Sequence, residues 1–433
     1  MGSNRPKVVI VGAGFAGLYA ARALAKQAVD VLIIDRKNHH TFQPLLYQVA
    51  LAVLSPAEIA SPIRAIFKRN KNVTVMLGEV TDFDLANKTV LIKDDDGHKD
   101  EPIHYDYLIL AAGAGNFYFG HPEWEQYAPG LKSIEDALEI RRRVLNAFER
   151  AERHAATQGS HEPLNFVVIG GGPTGVELAG SIADIARIVM AEDFRAIDPS
   201  MARILLLEGG PRVLASYPED LSQAALKQLE ELGVEVRTQT MVTDIGAMSV
   251  TMKHVGNENA QLEIIPAAVA IWGAGVAPSP LGKKIAALSG AQTDRAGRVV
   301  VEKDLTLPGH PEVFVTGDLV AFTNPDGKVV PGVAPAAIQM GGYAGRAIAA
   351  DLAQRTRTPF HYWDKGSLAT IGRSRAVGDL PGIHLTGFFA WLAWLLIHVM
   401  FLVGFSNRFM VMMEWAWAYF FYRGGARLIT DKH

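Results

Sequence analysis

Two glycine-rich turns are the residues of this chain that most directly indicate chemistry. Gly12, Gly14 and Gly17 form the pattern G-x-G-x-x-G directly after the apolar run KVVIV. The first glycine permits a tight turn, the second lets backbone N–H groups approach a pyrophosphate, and the third lets a helix pack on the strand. The same pattern recurs from Gly170 to Gly175, after NFVVI. The repeat predicts two dinucleotide-binding sites, each at the N-terminus of a helix.

An acidic residue ends the apolar run that follows each turn. Asp35 closes DVLIID, and Glu208 closes RILLLE. A carboxylate at this position can accept hydrogen bonds from ribose hydroxyls and repels a 2′-phosphate, so Glu208 favours NADH over NADPH, although nearby Arg212 could weaken that preference. The interval from Gly175 to Glu208 exceeds the usual ~20 residues, so an extra segment near 191–202 must be accommodated.

Two dinucleotides in one chain indicate hydride transfer between them, and the common partners are nicotinamide and flavin. Asp318 lies in VFVTGDL, where an apolar strand ends. A carboxylate there is placed to bond a polyol such as a ribityl chain, and an ordinary turn aspartate is the alternative.

Composition excludes several classes of protein. The 433 residues include no cysteine, so disulfides, Cys-ligated iron–sulfur clusters and redox-active cysteine pairs are excluded. A net charge of −3 gives no indication of a nucleic-acid partner. The pair His39-His40 lacks a third metal ligand, so a loop role is expected and no metal site is predicted. The G-x-S-x-G elbow of many hydrolases is absent from the sequence.

Strand-like and helix-like runs alternate along most of the chain, which predicts an α/β fold. We expect two Rossmann-like dinucleotide-binding domains, with the second inserted in the first, and a C-terminal helical segment. A helix over 133–155 separates the two turns, with Ser133 as N-cap and the run Arg141–Arg143 on a solvated face. The expected bounds are 1–163 and 279–384 for the first domain, 164–278 for the second, and 385–433 for the C-terminal segment.

The C-terminal segment is unusually apolar and aromatic. Gly387 to Phe405 is a run of 19 residues, about 28 Å as a helix, which is just long enough to span a bilayer. Trp391 and Trp394 lie inside this run, however, and spanning helices carry such residues near their ends. We therefore expect two helices lying in the membrane interface, with one crossing or a buried core or dimer interface as alternatives. His398 is expected to face protein or headgroups, and three arginines to face anionic lipid: Arg408, Arg423 and Arg427.

These motifs resemble the two-dinucleotide flavoprotein oxidoreductases, and within them the type II NADH:quinone oxidoreductases. The resemblance runs nearly end to end and includes HTFQPLLYQVA (40–50), LATIGRSRAV (368–377) and the aromatic, arginine-punctuated stretch 404–429. It implies FAD and NADH as cofactors, and transfer of two electrons from NADH to a membrane quinone without proton pumping. It also implies a monotopic homodimer. The absence of a signal or transit peptide places the expected enzyme on the cytoplasmic face of a bacterial membrane.

The resemblance also implies roles for individual residues. Glu177 and Gln339 are the expected catalytic residues. FAD is expected to contact Gly12, Gly14, Phe15, Ala16, Gly17, Asp35, Arg36, Ala112, Gly113, Asp318 and Gln339. NADH is expected to contact Gly170, Gly172, Pro173, Thr174, Gly175, Glu177, Glu208 and Gly275. The quinone is expected to contact Gln43, Pro44, Tyr47, Gln48, Gln339 and Met340.

The sequence departs from the family pattern at two places. The helix that typically reads A-Q-x-A-x-Q reads APAAIQ here, so Pro335 replaces one glutamine. The stretch AAGAG at 111–115 lacks the family's threonine after the first alanine. Two other functions stay open on the sequence: a flavoprotein reductase of a soluble acceptor, and a flavin-binding sensor or scaffold.

Overall fold

A computed structural model of the chain describes residues 5–93, 101–159, 163–190, 193–256, 261–403, 405–421 and 427–429. The strands are β1 (Lys7–Val11), β2 (Asp30–Asp35), β3 (His39–Thr41), β4 (Ala60–Pro62), β5 (Val73–Leu77), β6 (Glu79–Asp84), β7 (Thr89–Lys93), β8 (Glu101–His104), β9 (Tyr107–Leu110), β10 (Ala114–Asn116), β11 (Asn165–Ile169), β12 (Arg203–Leu207), β13 (Val234–Arg237), β14 (Thr240–Ile245), β15 (Ser249–His254), β16 (Glu263–Pro266), β17 (Val269–Trp272), β18 (Val276–Pro278), β19 (Val299–Val300), β20 (Thr306–Leu307), β21 (His310–Val315), β22 (Val320–Ala321), β23 (Ser367–Gly372), β24 (Arg375–Leu380) and β25 (Ile383–Thr386). The helices are α1 (Phe15–Leu24), α2 (Leu46–Ala50), α3 (Pro56–Ile59), α4 (Ile63–Phe67), α5 (Ile134–Gln158), α6 (Pro173–Asp184), α7 (Glu219–Glu231), α8 (Pro280–Ser289), α9 (Ala334–Leu352), α10 (Gly387–Phe401) and α11 (Phe405–Phe421).

The chain forms two compact units. The first comprises 1–41, 60–115 and 276–365, and the second comprises 42–59, 116–275 and 366–433. The sequence-based domain bounds follow the starts of the two nucleotide folds, and they stay a prediction. The units differ from those bounds because they group residues by packing, which assigns α5 and the segment 42–59 to the second unit.

The first unit is built on a six-stranded sheet in the order β20-β21-β9-β1-β2-β5. The strands from β21 to β5 run parallel, and β1 is buried as a nearly continuous apolar run, as is typical of a sheet covered on both faces. Strand β21 joins this sheet beside β9, although it follows β9 by roughly 200 residues. Helix α9 approaches α1 closely because Gly341 has no side chain: a Cβ there would lie 1.9 Å from the carbonyl oxygen of Ala16.

The second unit contains a four-stranded parallel sheet in the order β13-β12-β11-β17. Helix α5 begins with the predicted N-cap, since Ser133 and Asp136 form a reciprocal capping box. The solvated face predicted for Arg141–Arg143 is wrong for Arg141, which is 5% exposed. Because its guanidinium donates to the carbonyls of Val49 and Leu54, the long polar side chain is satisfied inside the unit.

The C-terminal part of the second unit contains the antiparallel strands β23–β25, followed by α10 and α11. Of the residues that the structure describes, none belongs to a helix both long and apolar enough to cross a bilayer. Arg408 donates to the carbonyl of Leu402, and Arg427 forms an ion pair with Asp193. Arg423 lies outside the described residues.

Candidate functional site

The first glycine-rich turn lies between β1 and α1 in the first unit. Gly12 has a φ of +98°, and a Cβ there would lie 2.5 Å from the carbonyl oxygen of Ala111. At Gly17 a Cβ would lie 1.8 Å from the carbonyl oxygen of Gly12, so both positions require glycine. A Cβ at Gly14 would meet nothing within 4 Å, which leaves the backbone on that side open to a pyrophosphate.

Asp35 fastens this turn to the end of β2. Its carboxylate accepts hydrogen bonds from the backbone N–H of Ala13, at 2.6 Å, and of Lys37, at 2.7 Å. Each carboxylate oxygen has a further lone pair, so the side chain can also accept from ribose hydroxyls. The adjacent Arg36 is exposed.

The remaining residues predicted to bind FAD lie at the carboxyl edge of the same sheet, where ligands bind in open α/β sheets. Ala112 and Gly113 follow β9, and Asp318 lies in the helical turn that follows β21. Phe15 packs against a small buried cluster of Ala16, Ala111 and Ala337. The structure therefore brings together, within one unit, the predicted turn, the β9 end and Asp318.

His40 was predicted to have a loop role, but it lies in β3 and contacts the first turn. Its Nδ1 is 2.8 Å from the carbonyl oxygen of Ala13, and its ring meets Phe15 edge-on at 5.3 Å. Burial lowers the pKa of His40 to about 4, so the ring is neutral near pH 7 and Nδ1–H donates to the turn.

Gln339 and Met340 lie in α9 of the first unit. Met340 is buried, and the amide of Gln339 forms two hydrogen bonds with the backbone of Trp363. Nε2 donates to the Trp363 carbonyl at 2.9 Å, and Oε1 accepts from the Trp363 N–H at 3.0 Å. A quinone carbonyl would compete with this pairing for the amide. Pro335 lies in the first turn of α9, where a missing N–H is tolerated.

The second glycine-rich turn repeats the first within the second unit. Gly170 has a φ of +105°, and a Cβ at Gly175 would lie 1.8 Å from the carbonyl oxygen of Gly170. Glu208 accepts hydrogen bonds from the backbone N–H of Gly171 and of Gly210, both at 2.6 Å. The other residues predicted to bind NADH lie around this turn: Gly172 is the N-cap of α6, Pro173 and Thr174 are in its first turn, and Gly275 follows β17.

Two further side chains near this nucleotide fold, those of Arg212 and Glu152, form hydrogen bonds with backbone groups. Arg212 donates to the carbonyls of Tyr217 and Ala215, so two of its five guanidinium N–H donors are already engaged by the backbone. The described part of the extra segment before β12 is fastened by Glu152 of α5, which accepts from the backbone N–H groups of 195–197.

Glu177 lies one turn into α6 and is partly buried. Burial raises the pKa of its carboxyl to about 8, and a hydrogen bond with the Thr370 backbone acts in the opposite direction. Helix α6 packs tightly on β23, since a Cβ at Gly180 would lie 1.5 Å from the Ile371 carbonyl oxygen. At neutral pH this carboxyl holds a proton that it can exchange.

The quinone residues predicted in 43–48 belong to the second unit. Gln43 is exposed and Pro44 is partly exposed in a short helical turn, and Tyr47 and Gln48 are buried in α2. Gln48 Nε2 donates to the hydroxyl oxygen of Tyr47 at 2.8 Å, and Gln48 Oε1 accepts from the indole N–H of Trp415 at 2.7 Å. Burial, with Glu177 beside it, raises the pKa of Tyr47, so the phenol stays protonated.

Residues of α10 and α11 line this segment, and the sequence reasoning did not assign them to it. Trp394 is 2% exposed and lies 6.4 Å from the Tyr47 ring and 5.5 Å from the Trp415 ring, between ring centroids. His398 stacks on Trp394 at 4.3 Å and meets Phe42 edge-on, so the expectation that His398 faces protein is confirmed. In the sequence, the position of Trp391 and Trp394 in the middle of the apolar run was the one indication that α10 packs against protein in this way.

Comparisons with known proteins agree with this geometry. The family model described as pyridine nucleotide-disulphide oxidoreductase matches residues 6–341, and the model described as the NDH2 C-terminal domain matches 364–424. The type II NADH:quinone oxidoreductase Ndh of Mycobacterium tuberculosis is 44% identical over 99% of this chain and 91% of that protein. The chain belongs to the type II NADH:quinone oxidoreductase family.

Other family members support the assignment at greater distance. A type II NADH:quinone oxidoreductase of Staphylococcus haemolyticus is 30% identical over 89% of this chain and 92% of that protein. The solved structure of NDH2 from Plasmodium falciparum in complex with NADH matches with a TM-score of 0.89, at 22% identity over 99% of this chain and 100% of that one. At that identity the likeness supports the fold, which is the type II oxidoreductase fold from end to end.

Proposed function

We propose that this protein oxidises NADH and reduces a membrane quinone, using bound FAD and without pumping protons. The observation that carries this conclusion is the pair of glycine-rich turns, each fastened by a carboxylate, in a chain that matches the type II family over nearly its whole length. FAD supplies the redox chemistry, because it accepts hydride from NADH and gives up two electrons to quinone. The protein positions both nucleotides.

The first unit is the FAD-binding unit in this proposal. The open backbone at Gly14 would receive the pyrophosphate, Asp35 the adenosine ribose, and Asp318 the ribityl chain. The second unit would bind NADH through the turn Gly170–Gly175, with Glu208 on the ribose hydroxyls. We expect NADH to be preferred over NADPH because Glu208 repels a 2′-phosphate, while two N–H donors of the neighbouring Arg212 are engaged by carbonyls.

Proton supply is assigned to Glu177. Because its pKa is raised to about 8, the carboxyl is mostly protonated at neutral pH, and it can deliver a proton as quinone takes up electrons. Tyr47 accepts a hydrogen bond from Gln48, which leaves the phenol hydrogen to donate to a quinone oxygen. Gln43, Pro44, Gln48, Gln339 and Met340 complete the proposed quinone contacts.

The membrane surface is the proposed site of attachment. Exposed apolar residues follow one face of α10, at the spacing of three and four residues that marks one side of a helix. This face, which we call the α10 stripe, comprises Phe389, Leu392, Leu396 and Met400. With exposed methionines on α11, it would lie in the interface of a bacterial membrane on its cytoplasmic face, as part of a homodimer.

Steady-state oxidation of NADH in detergent, with and without a soluble short-chain quinone, tests the proposal. We expect quinone to stimulate NADH oxidation well above the rate with oxygen alone. Bleaching of the flavin absorbance by NADH before quinone is added would support the first half of the reaction. If quinone gives no stimulation while a soluble protein acceptor does, the chain is a reductase of that acceptor. If neither acceptor supports turnover, a flavin-binding sensor or scaffold becomes the better description.

A further inference from the structure

Arg141 is a buried cation on α5 that contacts the segment bearing Tyr47 and Gln48. Its side chain is nearly inaccessible to solvent, with 5% exposure. Nε donates to the carbonyl oxygen of Val49 at 2.8 Å, and a terminal N–H donates to the carbonyl oxygen of Leu54 at 2.7 Å. Hydrogen bonds from a charged donor are stronger than neutral ones, and this donor uses its planar fork to hold two points of one loop.

The two carbonyls lie on either side of a strained turn. Ala52, between them, has a φ of +59°, a left-handed conformation that is unfavourable for a residue with a side chain. The chain then folds back on α2, since the N–H groups of Val53 and Leu54 both donate to the carbonyl of Gln48. Such a conformation persists only where surrounding contacts hold it, and Arg141 supplies two of them.

The buried charge is compensated within the same segment. Burial lowers the pKa of Arg141, and the nearby carboxylate of Glu58 acts in the opposite direction. An arginine side chain stays charged in proteins, so its burial requires this partner and the two carbonyls. Glu58 in turn accepts from the backbone N–H of Ser55, which fixes the far end of the same loop.

We propose that Arg141 is a positioning residue for quinone reduction, an inference that rests on the proposed function. By fixing the turn after α2, it holds the hydrogen-bonded series Tyr47–Gln48–Trp415 in the arrangement that receives quinone. Both of these hydrogen bonds of Arg141 end on the 49–54 segment, and neither reaches a glycine-rich turn. Its loss should therefore change the response to quinone and leave the NADH half of the reaction intact.

The test compares Arg141→Met and Arg141→Lys with Arg142→Met, a matched loss of charge at the next position of α5. Arg142 pairs with Glu139, on the partly exposed side of the helix. We expect Arg141→Met to raise the quinone KM about tenfold or more, while the rate of flavin reduction by NADH in stopped-flow stays within twofold of wild type. Arg141→Lys keeps the positive charge but lacks the planar guanidinium that reaches both carbonyls, so its quinone KM should lie between those of wild type and Arg141→Met. Arg142→Met should match wild type.

An unchanged quinone KM in a folded, flavin-loaded Arg141→Met protein would overturn the inference, and so would slowed flavin reduction. If Arg141→Met does not fold, Arg141→Lys decides by the same two measurements. Failure of the proposed function is seen separately, since wild-type protein would then show no quinone-dependent NADH oxidation, and the role of Arg141 would be withdrawn with it.

Discussion

At Asp35 and Glu208, a carboxylate accepts one backbone N–H from a glycine-rich turn and a second from the residue two positions after the acid. Both oxygens are already engaged, yet each keeps a lone pair for a ribose hydroxyl. In the proposed function, the same side chain therefore both shapes the turn and recognises the nucleotide. Replacing it affects both tasks, and the amide of glutamine retains only one acceptor oxygen.

Glu208→Gln should weaken discrimination between the two nicotinamide nucleotides. The amide no longer repels a 2′-phosphate, and one charge-assisted hydrogen bond to ribose is lost, worth about 1.5 kcal/mol. We expect the ratio of kcat/KM for NADH to that for NADPH to fall about tenfold. Glu230→Gln, on the exposed face of α7, is the control. A ratio unchanged in Glu208→Gln would argue against the ribose contact.

The pH dependence of quinone reduction should report Glu177. An acid with a pKa raised to about 8 is protonated below that pH and loses its proton as pH rises through it. The quinone-dependent rate should therefore fall above about pH 8, and Glu177→Gln should abolish that limb while lowering the plateau. The measurement is kcat against pH from 6 to 9.5. If the fall in rate above about pH 8 persists in Glu177→Gln, it arises from a group other than Glu177.

Gln339→Leu should raise the quinone KM while NADH-dependent flavin reduction stays normal. The reason is that leucine cannot hydrogen-bond a quinone carbonyl, and about tenfold is expected for one lost bond. The substitution also removes the two bonds to the Trp363 backbone, so the melting temperature should fall slightly. Exposed Gln292→Leu serves as control. Slowed flavin reduction in stopped-flow would contradict this placement.

At the scale of elements, α10 presents two different faces. Ala390, Trp394 and Val399 are buried, whereas the α10 stripe is exposed. Apolar surface of this kind gains free energy when it is removed from water, at about 25 cal/mol per Å². The buried face packs against the protein, and the exposed face is the surface that we propose contacts lipid.

Leu396→Glu and Met400→Glu should reduce binding to anionic lipid vesicles while leaving turnover with a soluble quinone close to wild type. Placing a carboxylate in the interface opposes both apolar burial and the negative surface potential. Co-sedimentation with vesicles measures the effect, and Leu288→Glu, at an exposed position of α8, is the control. Equal loss of binding in the control would remove the α10 stripe as the attachment surface.

At the scale of the whole molecule, sequence patterns predicted the two nucleotide folds well and long-range side-chain partners poorly. Glycine spacing and the acids at strand ends can be recognised in the sequence because the residues that form each turn are close together along the chain. The bonds from Arg141 to Val49 and from Trp415 to Gln48 join residues 92 and 367 positions apart. A charged residue on a helix is expected to face solvent when its partner is distant in sequence, so the solvent-exposed position expected for Arg141 was wrong.

The return of β21 to the first sheet has a consequence for biosynthesis. Strand β9 has no parallel neighbour on that side until roughly 200 more residues have been made. At a synthesis rate of about 5–20 residues per second, that delay is about 10–40 s. The four strands of the second unit's parallel sheet, β11, β12, β13 and β17, are all synthesised within this interval and can pair during it. The parallel sheet of the second unit can therefore form before Asp318 is synthesised, so flavin binding through the proposed Asp318 contact is expected late in the synthesis of the chain.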